Sequence, residues 1–401
     1  MTISNTRPGA HGVWILGLLL PTTMAAASIF QFAVAVLAPT LVTEVGISRL
    51  DLGSISASYY LAAAVASFSL GRLIDRISTG IGTILIYVLS ASAFALVAAL
   101  PTMGTFLVAG GTAGVAAGLS NPLTNRIIAA QSGARGVLVG VKQGGVQLSA
   151  LIAGSGMPIL ALLCGWRTAL ILVAAAIVLI GMASWLYLPN QPSARTARLT
   201  EKEHLPAVIH WLCGYAFMMG AGMSAVTIYV VLYGHDEVGL SKVHAGLLLA
   251  TMGLIGATAR ILSSIFAERG EQLSVWMAGG ACAAVLGVAL IAATTNPYVV
   301  WGGVAVVGSS GAAWNGVAIL AVLRACPDRL TGHATGIVLT GFFVGLALGP
   351  PVFGAIVDAT GSYDLGWGMA AACFAAAAVI IGASSRRHQL RHPAPADPCG
   401  V

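Results

Sequence analysis

The sequence predicts an all-α integral membrane protein: twelve transmembrane helices arranged as two six-helix bundles related by pseudo-two-fold symmetry. Three observations predict it. Of 401 residues, 58% are hydrophobic and only 8% are charged, against roughly 25% charged in a soluble globular chain. The apolar residues fall into twelve runs, and a membrane-spanning helix needs about 20 residues. The second half of the chain repeats landmarks of the first in the same order.

This composition excludes a soluble enzyme, a disordered chain and a nucleic-acid-binding domain. The formal net charge is +6, but the basic residues lie between apolar runs and not in one patch. Glycine contributes 50 residues. In water that would weaken helices, whereas in lipid small residues let helices approach closely. The six cysteines (Cys164, Cys213, Cys282, Cys326, Cys373, Cys399) stand singly, without the spacing of a metal site or a disulfide framework.

The spans of the first half fall at 12–38, 51–71, 80–100, 104–127, 136–162 and 166–188. Those of the second half fall at 206–232, 243–266, 274–294, 298–321, 334–356 and 366–384. Ala25-Ala26-Ala27 imitates a cleavage site, but the first apolar run continues to Leu37, so a retained helix is expected. Arg72 and Arg76 close the second span, Arg135 opens the fifth, Arg167 the sixth and Lys242 the eighth. Asn190 to His204 is the longest polar stretch inside the chain. The expected organisation is a bundle over 1–189, a linker over 190–204, a second bundle over 205–385 and a polar tail over 386–401.

Orientation follows from loop charges. Thirteen of the 19 Lys and Arg residues flank spans on the side of both termini; Arg49, Arg167 and Lys242 lie on the other; Arg126, Lys142 and Arg260 lie within or near spans. Both termini are therefore expected in the cytoplasm and the protein in the inner membrane.

Glu44-Val45-Gly46-Ile47-Ser48-Arg49-Leu50-Asp51-Leu52-Gly53 returns 193 residues later as Glu237-Val238-Gly239-Leu240-Ser241-Lys242-Val243-His244-Ala245-Gly246. Asp75-Arg76 returns as Glu268-Arg269, Asn121 as Asn315, and Gly136 and Gly140 as Gly332 and Gly336. Six helices followed by six in the same orientation form a parallel repeat about an axis along the membrane normal, an arrangement that places a binding site between the halves near the midplane.

Gly71-Arg72-Leu73-Ile74-Asp75-Arg76, after the second span, resembles the G-x-L-x-D-R signature of the major facilitator superfamily. The signature normally continues with Gly and basic residues, where this chain has Ser78, Thr79 and Gly80. The resemblance implies alternating access. It also implies a gating latch built on Gly71, Asp75 and Arg76, with Glu268 and Arg269 as its weaker twin; plain charge anchoring at the interface is the other reading. Asn121-Pro122-Leu123-Thr124-Asn125-Arg126, Arg135-Gly136 and Gly140-Val141-Lys142-Gln143-Gly144-Gly145-Val146-Gln147 look like the bacterial cyanate and nitroimidazole permease branch. Arg260 is similar to the buried arginine of monocarboxylate and oxalate carriers. Both likenesses imply small organic anions.

The residues themselves point the same way. A charge at the bilayer centre costs about 2.5–3.5 kcal/mol on insertion scales, yet Lys142 and Arg260 lie inside spans. Their repeat partners are Val338 and Ser67, so each breaks the pseudo-symmetry. No Asp or Glu lies in the interior of a span. An anionic substrate would supply the missing charge, Arg gripping a carboxylate with two bonds and Lys acting as a point charge. Snorkelling or bonding to backbone carbonyls is the alternative for each, above all for Arg126. Gln143 and Gln147 share a helix face. Asn121, Asn315 and the mid-span amide Gln31 complete the expected substrate-binding set.

The expected function is secondary active transport of a small organic anion by alternating access; the alternative is efflux of neutral or cationic drugs. No HExxH motif, acid pair or Ser/His/Asp set suggests an enzyme, and no cofactor is implied. The expected partners are the substrate and the bilayer, with a coupling proton or counter-anion left open, and a monomer is expected.

Overall fold

The computed structural model describes residues 10–67, 77–131, 135–191, 205–269, 273–326 and 328–391. Among them the chain forms α1 (Ala10–Thr40), a π-helical turn (Leu41–Val45), α2 (Arg49–Val65), α3 (Thr79–Ala99), α4 (Met103–Ala129), α5 (Arg135–Cys164) and α6 (Trp166–Tyr187). The second half adds α7 (Val208–Asp236), α8 (Lys242–Arg269), α9 (Leu273–Ala292), α10 (Pro297–Ala325), α11 (Asp328–Thr360) and α12 (Asp364–Arg391). Eleven are long and apolar enough to cross a membrane. The twelfth, α2, is described over 17 residues. Gly71, Asp75, Arg76 and residues 192–204 of the linker lie outside the described residues.

Short polar connectors set the helix starts. Ser48 caps α2 in a reciprocal box with Asp51, which satisfies amides that have no partner inside the helix. Ser78 caps α3, Thr102 caps α4, and Asn296 caps α10 ahead of Pro297. The sharpest turns use glycine at positive φ, and these positions repeat: Gly46 (φ 76°) with Gly239 (φ 74°), and Gly165 (φ 79°) with Gly361 (φ 69°). A side chain there would meet its own backbone.

The packing obeys the same two-fold. In the first half α1 lies on α5, α2 on α4, and α3 on α4 and α6; in the second α7 lies on α11, α8 on α10, and α9 on α10 and α12. The halves meet chiefly along α2–α11 and α5–α8, a pair of contacts that the two-fold interchanges. Both seams are built alike. A Cβ at Gly53 of α2 would come within 2.5 Å of the Pro350 carbonyl and the Pro351 nitrogen of α11. A Cβ at Gly246 of α8 would come within 2.6 Å of the Pro158 ring and 2.7 Å of the Gly154 carbonyl on α5. Gly53 and Gly246 are the last residues of the repeated sequence stretch. Both of these glycine–proline contacts lie toward the end of the bundle opposite the chain termini, called here the distal end.

Ala in place of Gly53 is expected to destabilise the protein by about 1–3 kcal/mol, the usual range for overpacking. Gly279→Ala, where a Cβ meets nothing within 4 Å, is expected to be neutral or stabilising, because Ala favours helix. Thermal unfolding of the two purified variants in detergent checks the opposite signs.

Candidate functional site

Lys142 on α5 is only 1% exposed. Its ammonium has three N–H bonds, and α4 accepts all three. Nζ donates to Asn121 Oδ1 at 3.2 Å, to Thr124 Oγ1 at 3.1 Å and to Asn125 Oδ1. The acceptors sit one helical turn apart, so one face of α4 wraps the amine. Thr124 is held in turn, since its hydroxyl bonds to the Ser120 carbonyl at 2.7 Å.

Gln143, the next residue, joins this cage to the other half. Its Nε2 donates to the same Asn121 Oδ1 at 3.4 Å. Its backbone carbonyl accepts from Arg260 Nη1 of α8 at 3.4 Å. Lys142 and Arg260, which come from different halves, thus converge on one residue of the α5–α8 seam. Gly253 lies close to the Gln147 carbonyl on the same seam. The two glycines beside Gln143 do different work. A Cβ at Gly145 would strike the Pro21 carbonyl of α1, whereas one at Gly144 meets nothing within 4 Å. The Gly145 contact packs α1 against α5, and Gly144 leaves open space next to Gln143.

The other expected residues are dispersed. Arg126 bonds to backbone carbonyls, Nη1 to Ile77 at 2.9 Å and Nη2 to Gln191 at 3.2 Å, tying α4 to the segments around α3 and α6. Gln31 is buried on α1, and its Oε1 has no partner among the described residues. Asn315 lies on α10, and Glu268 and Arg269 lie in the last turn of α8; their side chains lie outside the described residues. Trp314 of α10 packs against Tyr215 and Phe342.

A second cluster, at the distal end, escaped the sequence reading. Arg49, the first residue of α2, forms an ion pair with Asp236 at the end of α7 at 3.1 Å. Its Nε donates to the Tyr363 hydroxyl at 3.4 Å, and that hydroxyl donates to Asp236 at 2.9 Å. Asp358 of α11 accepts from the backbone amides of Arg49 (3.3 Å) and Leu50 (2.8 Å). A carboxylate of one half therefore caps a helix of the other, where the helix dipole favours negative charge. The Tyr229 hydroxyl lies against the carbonyls of Arg49 and Pro350. Burial pushes the Tyr363 phenol above its ordinary range, so it remains a donor to Asp236. The signal in the sequence was faint: Arg49 is one of three cations on that side, and Asp236 and Asp358 are carboxylates at span ends on the same side.

The comparisons with known proteins decide the family. The model of the Major Facilitator Superfamily matches residues 19–350. The chain belongs to the major facilitator superfamily. It is a membrane transporter and not an enzyme. Two relatives in Mycobacterium tuberculosis, the uncharacterized MFS-type transporters Rv2994 (strain ATCC 25618 / H37Rv) and MT3072 (strain CDC 1551 / Oshkosh), are each 26% identical over 384 residues, covering 92% of this chain and 84% of theirs. Among solved structures, a bacterial homologue of the human lysosomal transporter Spinster, inward-facing and unoccupied, superposes with a TM-score of 0.78 at 15% identity, over 97% of this chain and all of that one. The nucleoside transporter NupG, in mutant form, gives 0.77 at 16% identity, over 92% of this chain and 99% of its own. At these identities the structures share the fold. For this superfamily member, the Lys142–Gln143–Arg260 junction is the candidate substrate site and the Arg49 cluster the candidate distal gate.

Removing the cluster is expected to loosen the distal end. Arg49 and Asp236 are 31% and 26% exposed, so their pairing contributes no more than about 1 kcal/mol, or roughly five-fold in an opening equilibrium. Ser56, buried on α2 about two turns below Arg49, serves as the reporter. A cysteine there, in protein lacking its native cysteines, is expected to react severalfold faster with a hydrophilic maleimide when Arg49 is Ala. An unchanged rate would show that the seams alone hold the end shut.

Proposed function

We propose that this transporter moves small organic anions by alternating access, and that the anion binds at the α5–α8 seam between the halves. One observation carries the reading. Arg260 donates to the Gln143 carbonyl, and Lys142, from the opposite half to Arg260, shares the Asn121 oxygen with the Gln143 side chain, in spans whose interiors hold no Asp or Glu. An anion placed there would offset both charges and touch both halves at once. A Cβ at Gly144 would meet nothing within 4 Å, so the helix surface beside Gln143 is left unfilled. Arg260, Gln143 and Gln147 would contact the anion; Lys142 would act by its field from behind Asn121. Gln31, Asn315 and Arg126 remain proposed outer contacts. The likeness of the 121–126 and 135–147 stretches to the cyanate and nitroimidazole permease branch supports the same substrate class.

The proposed topology places both termini in the cytoplasm of a cell whose inner membrane holds the protein. It follows from the excess of Lys and Arg at that end. The first bundle, linker, second bundle and tail occupy 1–189, 190–204, 205–385 and 386–401. The distal end then faces outward, and the latched form is an inward-facing state, the state in which the Spinster homologue was solved. Gly71, Asp75 and Arg76, with Glu268 and Arg269, would close the opposite gate in the outward-facing state.

A melting screen of the purified protein tests the reading. The panel comprises oxalate, pyruvate, benzoate and cyanate, neutral nitroimidazoles, and lipophilic cations. A ligand at 100 times its dissociation constant stabilises by about 2.7 kcal/mol. Stabilisation by an anion is expected, lost in Arg260→Ala and weakened in Arg260→Lys, which keeps the charge without the two-pronged grip. Stabilisation by cations or neutral compounds alone, equal in all three proteins, would sink the anion reading and favour drug efflux.

A further inference from the structure

We infer that Lys142 carries a proton through the transport cycle, bound and released within the Asn121–Thr124–Asn125 cage. The inference rests on transport taking place at the α5–α8 seam, and not on which anion is moved.

The cage has an unusual chemistry for a buried cation. All three acceptors are neutral, and each can reverse, Thr124 by giving up its bond to the Ser120 carbonyl and Asn121 by giving up Gln143. A threonine hydroxyl can rotate from accepting to donating, and an asparagine can turn its amide to present N–H in place of oxygen. The same three side chains can therefore hold an ammonium, which offers three donors, or an amine, which needs a donor for its lone pair. A carboxylate partner would hold only the ammonium. The cage thus suits a group that changes its charge.

Its charged surroundings come from few elements. On α4 the neighbour is Arg126, next to Asn125 in sequence. On α8 it is Arg260, one residue removed through Gln143, with Glu268 and Arg269 near the helix end. α1 carries no titratable side chain beyond His11, and α6 has Arg167 at its distal start. Arg126 and Arg260, with Arg135 two turns earlier on α5, favour release of the proton; an anion at the seam favours its retention. Asn125 is exposed while Lys142 is not, so one wall of the cage reaches the surface.

On release, the Nζ–H bond facing Asn125 breaks, the electron pair stays on nitrogen and the proton passes to water. Asn125 turns its amide N–H to the freed lone pair, and the remaining Nζ bond to Asn121 Oδ1, the oxygen that Gln143 shares, is no longer charge-assisted. That alters the hold on Gln143, whose carbonyl carries the contact to Arg260 in the other half. A proton taken up with a monovalent anion would also cancel its charge against the membrane potential. No carboxylate in a span interior is available for this task.

The experiment needs no substrate. The Ser56→Cys reporter is labelled with a hydrophilic maleimide at about pH 6 and about pH 9, well to either side of neutrality. Each rate is divided by that of the same protein unfolded in detergent, which removes the titration of the thiol itself. The expected result is a severalfold change with pH in otherwise unsubstituted protein, matching Lys142→Arg at the acid end and Lys142→Met at the alkaline end. Both variants should be insensitive to pH. Asn125→Asp, which adds a carboxylate and fixes the ammonium, should also be insensitive with Lys142 in place, so the test survives if Lys142→Met fails to fold. Insensitivity to pH with Lys142 present, or sensitivity that persists in Lys142→Met or Asn125→Asp, would overturn the assignment. The anion reading stands or falls separately, on the melting screen.

Discussion

Two glycine–proline contacts hold the halves of this protein together: Gly53 against Pro350 and Pro351, and Gly246 against Pro158. Inside a bilayer no hydrophobic force draws apolar helices together, so association depends on close packing and on hydrogen bonds. Glycine permits the approach. Proline on the facing helix lacks an N–H and presents a rigid ring. The two contacts are related by the pseudo-two-fold, so neither half is privileged, and both lie toward the distal end. The latch around Arg49 adds polar bonds above them. Below these contacts the α5–α8 seam carries the junction of Gln143 with Arg260.

The Lys142–Gln143–Arg260 junction sits on the α5–α8 seam toward the other end. A ligand shifts a conformational equilibrium only by its differential affinity for the two states. The proposed site, made of groups from both halves, would have such a difference built in, because a rocking of the halves would separate Arg260 from Gln143. The two cations also break the two-fold, which otherwise governs turns, seams and helix pairing. Symmetry therefore describes the scaffold, and its breaking marks the proposed site. The neutral cage of Lys142 keeps a positive field next to the seam without a carboxylate that would compete for it.

Much of this scaffold was legible in the sequence. The repeated stretch from Glu44 to Gly53 and Glu237 to Gly246 holds both the left-handed turn glycines, Gly46 and Gly239, and the seam glycines, Gly53 and Gly246. Scarcity of charge made Lys142 and Arg260 conspicuous, because apolar spans leave little background. The partners of those charges were harder to read. Asn125 reaches Lys142 because it lies one turn beyond Asn121 on the same face of α4, which matters only once α4 and α5 are known to pack. Arg126 is adjacent in sequence but faces the carbonyls of Ile77 and Gln191. Arg49, Asp236, Asp358 and Tyr363 are brought together only by the fold, across separations of up to 314 residues. Pro158 and Pro351 carry no sequence mark that pairs them with glycines of the other half.

The measurement that bears most directly on the central claim is counterflow in proteoliposomes. Vesicles loaded with one unlabelled organic anion are given a trace of the same anion in labelled form, and uptake is followed with and without Arg260→Gln. The account predicts accumulation of at least one organic anion in the preloaded vesicles, reduced roughly tenfold or more by the substitution, as for loss of one partner from a buried charged contact. Accumulation confined to neutral or cationic compounds, and indifferent to Arg260, would contradict it.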